Sequence, residues 1–167
     1  MDSRRLSART KQPGHDVTYR KSEVEFVRAA RAVLDPEKYK VVDHPRELGS
    51  IFTDEEGSLG VVPEAAIINT ENGKRIFVEV KKQGPAGNAE ERAYKHHTVE
   101  FYRLLKNAFG YDYHPFITVF CENLATDRKY TLKIKNLIEK DNYVLWVSYD
   151  QKLLGRYLRE RCIDWLE

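Results

Sequence analysis

The sequence predicts an α/β fold, with a mixed central β-sheet flanked by α-helices. Three observations predict it. Segments of helical period are interleaved with short runs rich in β-branched residues. The Asn72-Gly73 dipeptide between two such runs marks a tight antiparallel hairpin. A long helical segment between Lys82 and Phe116 reads as a crossover, which makes the sheet mixed.

The elements run in chain order. Residues 1–20 are polar and aperiodic, and read as a flexible basic arm carrying Arg4, Arg5, Arg9 and Lys11. Residues 21–167 read as a single domain. Ser22 and Glu25 have capping-box spacing, and Val24, Val27, Ala30 and Leu34 keep a helical period up to Asp35-Pro36, where proline stops it. Tyr39 to Val42 is a short strand, and His44 to Gly57 an acidic loop. Leu59 to Asn69 is a strand broken at Pro63, and Arg75 to Lys82 returns antiparallel to it. Asn88 to Phe109 forms the longest helix, with Gly110 as its terminator. Phe116 to Cys121 is an apolar strand, Tyr130 to Ile138 a further short strand, and Tyr143 to Val147 another. Lys152 to Leu166 closes the chain as a helix whose core side is Leu153, Leu154, Tyr157, Leu158 and Trp165.

Composition narrows the class. The chain has 167 residues with a net charge of +2, so overall charge does not announce a nucleic-acid partner. Its 2 cysteines show no metal-binding or disulfide spacing and suit a reduced compartment. No apolar run is long enough to span a membrane, and no secretory signal is visible, so the expected location is cytoplasmic. His96-His97 lacks the partners of a zinc motif and is expected to face solvent or packing. Cys121 lies in an apolar run and is expected to be an inert buried thiol.

The chemistry concentrates on the hairpin. Alternation puts Phe77, Glu79 and Lys81 on one face of their strand, and Ile76, Val78 and Val80 on the other. Glu64 stands on the paired strand, where the hairpin can place it beside Glu79. Two adjacent carboxylates repel unless a proton or a cation lies between them. A hard divalent ion such as Mg²⁺ suits that oxygen site, and a neighbouring lysine can serve an attacking water. Glu-x-Lys on a strand is common solvated charge, so the pattern gains weight only from the segment C-terminal to it.

That segment is Gly87-Asn88-Ala89-Glu90-Glu91-Arg92, with Lys95 one turn on. The order Pro63-Glu64, Glu79-Val80-Lys81, then Gly-Asn-Ala-x-Glu-Arg resembles the EcoRI/MunI group of type II restriction endonucleases, within the PD-(D/E)xK nuclease superfamily. The stretches GVVPEAAIINTENGKRIFVEVKKQ and HPFITVF, and Asp141-Asn142-Tyr143 before the last strand, extend the likeness from about Leu59 to the C-terminus. The resemblance implies a restriction-endonuclease-like core. It implies catalysis by Glu64, Glu79 and Lys81, and Mg²⁺ held at Glu64, Glu79 and Val80. It implies double-stranded DNA bound by Gly87, Asn88, Ala89, Glu91, Arg92 and Lys95, with Asn88, Ala89, Glu91 and Arg92 at the major groove, at a palindrome centred on AATT. A homodimer, 5′-AATT overhangs and a cognate methyltransferase are implied by the same likeness.

The residues themselves agree. An Asn amide can pair with adenine N6 and N7, the Glu91 and Arg92 charges could brace one another and the bases, and Lys95 suits a phosphate. The same segment also reads as an ordinary helix start, with Asn88 as N-cap and Glu90 and Glu91 easing the dipole. Three departures stand out. Glu64 replaces the usual Asp. The link from Lys81 to Gly87 is short, with Ala86 where an Arg is usual, so the outer base pair is expected to be read differently or not at all. The acid that closes the family's apolar strand is displaced to Glu122. Two other readings fit the residues: a DNA-binding protein of this fold without catalysis, and a repair or junction nuclease sharing only the metal site.

Overall fold

The structure, a computed structural model, describes residues 13–51, 60–83 and 87–167, with the backbone alone for 13–20 and 51. Among them five strands form one mixed sheet in sequential order: β1 (Tyr39–Asp43), β2 (Ala65–Asn69), β3 (Arg75–Lys81), β4 (Phe116–Cys121) and β5 (Tyr143–Trp146). β1, β2 and β3 pair antiparallel, while β3, β4 and β5 are parallel. The hairpin forms where the sequence places it. Gly73 takes φ 77, a left-handed conformation open to glycine, and its N–H returns to the Asn69 carbonyl at 2.8 Å.

Helices cover both faces. Helix α1 (Pro13–Val33) and the C-terminal helical segment pack Phe26, Ala30, Leu154 and Leu158 on Ile76, Val78, Val80, Ile117, Val119 and Trp146. On the opposite face, α3 (Ala89–Ala93) and α6 (Arg128–Leu137), which follows the short α5 (Asn123–Thr126), enclose Phe120 with Ala89, Ala93, Tyr130 and Ile134. Beside them α4 (Val99–Phe109) sets Phe101 and Leu105 on Phe77 and Phe116. The strict alternation of β3 therefore serves two cores, and its middle residues are buried on both sides.

Several expectations are corrected. Helix α1 begins at Pro13 rather than Ser22, so residues 13–20 are helical; proline suits a first helical position because its missing N–H has no partner there. Ser22 is thus no cap, and its hydroxyl pairs with the Tyr149 hydroxyl at 2.8 Å. The expected acidic loop contains a helix, α2 (Glu47–Ile51), which buries Leu48 completely. The segment Asn88 to Phe109 is α3, a 3₁₀ turn (Tyr94–His97) and α4, interrupted at Thr98 with ψ 158. Residues 128–137 form helix α6, not a strand, because Tyr130, Ile134 and Ile138 recur every four residues and share one buried face. The last helical segment starts at Gln151, where Asp150 accepts from the Lys152 and Leu153 amides, and passes through a π turn (Leu158–Cys162) between α7 (Gln151–Tyr157) and α8 (Ile163–Leu166). The strand expected from Leu59 begins only at Ala65, past Pro63, while the arm residues Arg4, Arg5, Arg9 and Lys11, Leu59 itself and Ala86 lie outside the described residues.

Candidate active site

The site stands on the hairpin register. Ala65 opposes Val78, so extending the pairing by one position sets Glu64 opposite Glu79. Glu64 Oε2 accepts a hydrogen bond from the Val80 amide at 3.1 Å. Glu79 is 6% exposed, and its Oε2 lies 3.0 Å from the Lys81 ammonium. The structure thus brings Glu64, Glu79, Val80 and Lys81 together as the sequence suggested.

The electrostatics of this group are those of a crowded anion site. Burial, then the charge of Glu79, pushes the Glu64 carboxyl up to about 9, against partial relief from Lys81 and the Val80 amide. The Lys81 ammonium already compensates Glu79. Two clustered carboxylates and a main-chain position supply hard oxygen donors, which fits a divalent ion that keeps several waters. Among the described residues no group of three or more His, Cys, Asp or Glu is placed to hold a metal, so these residues offer an ion only the two carboxylates.

The candidate reading segment opens onto the same place. A cavity of about 90 Å³ is lined by Glu64, Val80, Lys81 and Lys82 from the hairpin, Ala89 and Arg92 from α3, and Ser22 and Glu23 from α1. Gly87, Asn88, Glu91, Arg92 and Lys95 are exposed, whereas Ala89 is buried against the core. Asn88 holds the N-cap position but makes no side-chain cap bond, so its amide points to no backbone donor of its own helix. Glu90 does not simply face solvent near the dipole. It is 2% exposed and paired with Lys133 of α6 at 3.2 Å. Among the described residues Glu91 and Arg92 do not pair, as adjacent helical positions do not face each other.

Three other expected residues find places. Glu122 closes β4 with φ 53 and accepts from the Tyr149 hydroxyl at 2.9 Å. His96 is buried and stacks on Phe116, while His97 Nε2 meets Thr118 Oγ1 at 2.7 Å; burial holds both rings at about 3 and therefore neutral. Cys121 is buried and its thiol is pushed up to about 12 by desolvation. Sequence reading passed over Gln83, which is 2% exposed and whose Oε1 accepts from the Glu90 amide at 3.2 Å. The only signal available was its place between the lysine strand and the glycine that opens α3.

The comparisons with known proteins give the family and the fold. A family model described as type II restriction enzyme MunI matches residues 1–164. Among solved structures, the MunI restriction endonuclease in complex with cognate DNA superposes with a TM-score of 0.62 at 25% identity, covering 78% of this chain and 83% of that one. No curated protein sequence matches the chain.

Proposed function

Because this chain belongs to the MunI family of type II restriction endonucleases, we propose that it cuts double-stranded DNA at a palindromic site centred on AATT, with Mg²⁺ as cofactor. The observation that carries the reading is the shared cavity, where Glu64 and Lys81 meet Ala89 and Arg92 of the reading segment. Glu64, Glu79 and Val80 would hold the ion, which supplies Lewis-acid stabilisation of charge on the scissile phosphate. The remaining work falls to the chain. The Lys81 ammonium, fixed 3.0 Å from Glu79, orients the attacking water and stabilises the hydroxide charge that develops as the water's proton passes to solvent. The water oxygen bonds to phosphorus as the bond to the 3′-oxygen breaks, and that oxygen leaves with a proton. The products are a 5′-phosphate and a 3′-hydroxyl.

Asn88 and Arg92 are exposed on α3 beside this centre and suit base edges in the major groove, while Lys95, one turn on, suits a phosphate. Gly87, Ala89 and Glu91 complete the reading segment, with Ala89 as its buried foot. A palindrome calls for a two-fold dimer in which each subunit cuts one strand. Cleavage before the core leaves 5′-AATT overhangs, and a methyltransferase of the same specificity protects the host DNA.

The test is digestion of a genome of known sequence with Mg²⁺, followed by sequencing of the ends. AATT-centred sites with four-base 5′ overhangs are expected; random or structure-dependent ends defeat the reading. Lys81→Ala should slow cleavage by about a thousandfold while specific binding persists, in line with loss of a group that stabilises developing charge.

A further inference from the structure

Gln83 stands two residues beyond the lysine that ends β3 and is 2% exposed. Its Oε1 accepts from the amide of Glu90, the second residue of α3, at 3.2 Å. That amide is one of the donors a helix start leaves open and a local cap usually takes. Asn88, at the cap position, does not take it. Gln83 therefore caps α3 from just beyond the strand that carries Glu79 and Lys81. Its Nε2 has no partner among the described residues, so the bond to Glu90 is the polar anchor of this side chain.

Gly87 completes the contact. A Cβ at Gly87 would stand 2.7 Å from Gln83 Cγ, closer than side chains approach, so the glycine is required by close packing over Gln83. On its other side α3 is held by the buried Glu90 pairing with Lys133 at 3.2 Å. The start of the reading segment is thus clamped between the metal-site strand and α6.

We infer that Gln83 is a positioning residue that fixes the start of α3 relative to Lys81 and thereby sets how sharply base sequence is discriminated. This rests on the proposed reading of residues 87–92 as the DNA-facing segment. With the clamp intact, Asn88 and Arg92 meet base edges in one geometry. Without it, α3 shifts relative to the cavity and near-cognate sequences are accepted.

The experiment uses the full chain and a library of randomised duplexes. The wild type, Gln83→Ala, Gly87→Ala and the double variant are each analysed by sequencing the bound fraction without metal and the cut ends with Mg²⁺. Gln83→Ala should lower the preference for the best site over its single-base-pair neighbours by about tenfold, the size of a lost cap. Cutting of the best site at saturating DNA should fall by less. Gly87→Ala should reproduce the loss by displacing Gln83, and should add nothing in the Gln83→Ala background. Circular dichroism checks the fold; if Gln83→Ala does not fold, Gly87→Ala carries the test. Retention of wild-type preference in either folded variant, or independent addition of the two losses, overturns the inference. A wild-type consensus not centred on AATT defeats that part of the proposed function, while Gln83 is still judged at the site found. A wild type without sequence preference defeats both.

Discussion

Glu64 is one methylene longer than the aspartate usual at this position, and the structure shows where that length goes. One carboxylate oxygen reaches the Val80 amide at 3.1 Å, so the side chain is tied to the strand it faces. Buried beside Glu79, its carboxyl is pushed from 4.5 up to about 9. A carboxyl raised in the fold is protonated there while the unfolded chain ionises. Metal-free stability from this group is therefore highest below pH 4.5 and falls as pH rises toward about 9. Thermal melts across that window should show Glu64→Gln with a flatter profile than the wild type. Adding Mg²⁺ at neutral pH should release a proton from the wild type and not from Glu64→Gln, read by calorimetry in two buffers of different ionisation enthalpy. Equal proton release from both proteins would remove Glu64 from the ion site.

The helical segment after β3 shows how one side chain partitions an element. The sequence from Asn88 to Phe109 has helical period throughout, yet Thr98 leaves helical geometry with φ −77 and ψ 158. Its hydroxyl accepts from the Phe101 amide at 3.1 Å, which starts α4 in a new direction. The break frees α3 to face the cavity while α4 packs Phe101 and Leu105 on the sheet. Thr98→Ala should cost about 1 kcal/mol, the usual loss for a missing cap, measured by urea unfolding. An unchanged midpoint would mean that packing alone sets the break. Helix α6 makes the complementary point. Its β-branched residues suggest a strand, but burial of Tyr130, Ile134 and Ile138 on one face outweighs that weak preference.

Across the molecule, the chemistry gathers along one edge of the sheet. β1 runs parallel to β3, β4 and β5, so Asp43, Lys81, Cys121 and Trp146 all end at the side where Glu64 precedes β2. Among the described residues, the non-glycine residues with positive φ lie just past those ends: His44, Glu122, Ser148 and Tyr149. Such conformations persist where surrounding contacts over-determine them, and functional edges are where they cluster. The opposite edge is built for cohesion. Asn142 donates to the His114 and Phe116 carbonyls, both at 3.0 Å, and so joins the starts of β4 and β5. Asn142→Ala strands two buried carbonyls and should destabilise the protein by about 2 kcal/mol in denaturant unfolding. The edge that carries the candidate site is remote from this bond, so cleavage per folded molecule should stay near wild type.

The hairpin and its two acids were legible in the sequence because strand alternation and a tight turn are local rules. Once Asn72-Gly73 fixes the turn, the pairing of Glu64 with Glu79 comes by counting. The motif from Gly87 to Arg92 was legible by family likeness. The capping of α3 by Gln83, the pairing of Glu90 with Lys133 and the shared cavity were not. Each depends on how elements pack across the sheet, and a buried polar side chain takes whatever partner that packing supplies. Local spacing names the candidate groups, while the contacts that hold β3 and α3 in one geometry arise only when the separate layers close on one another.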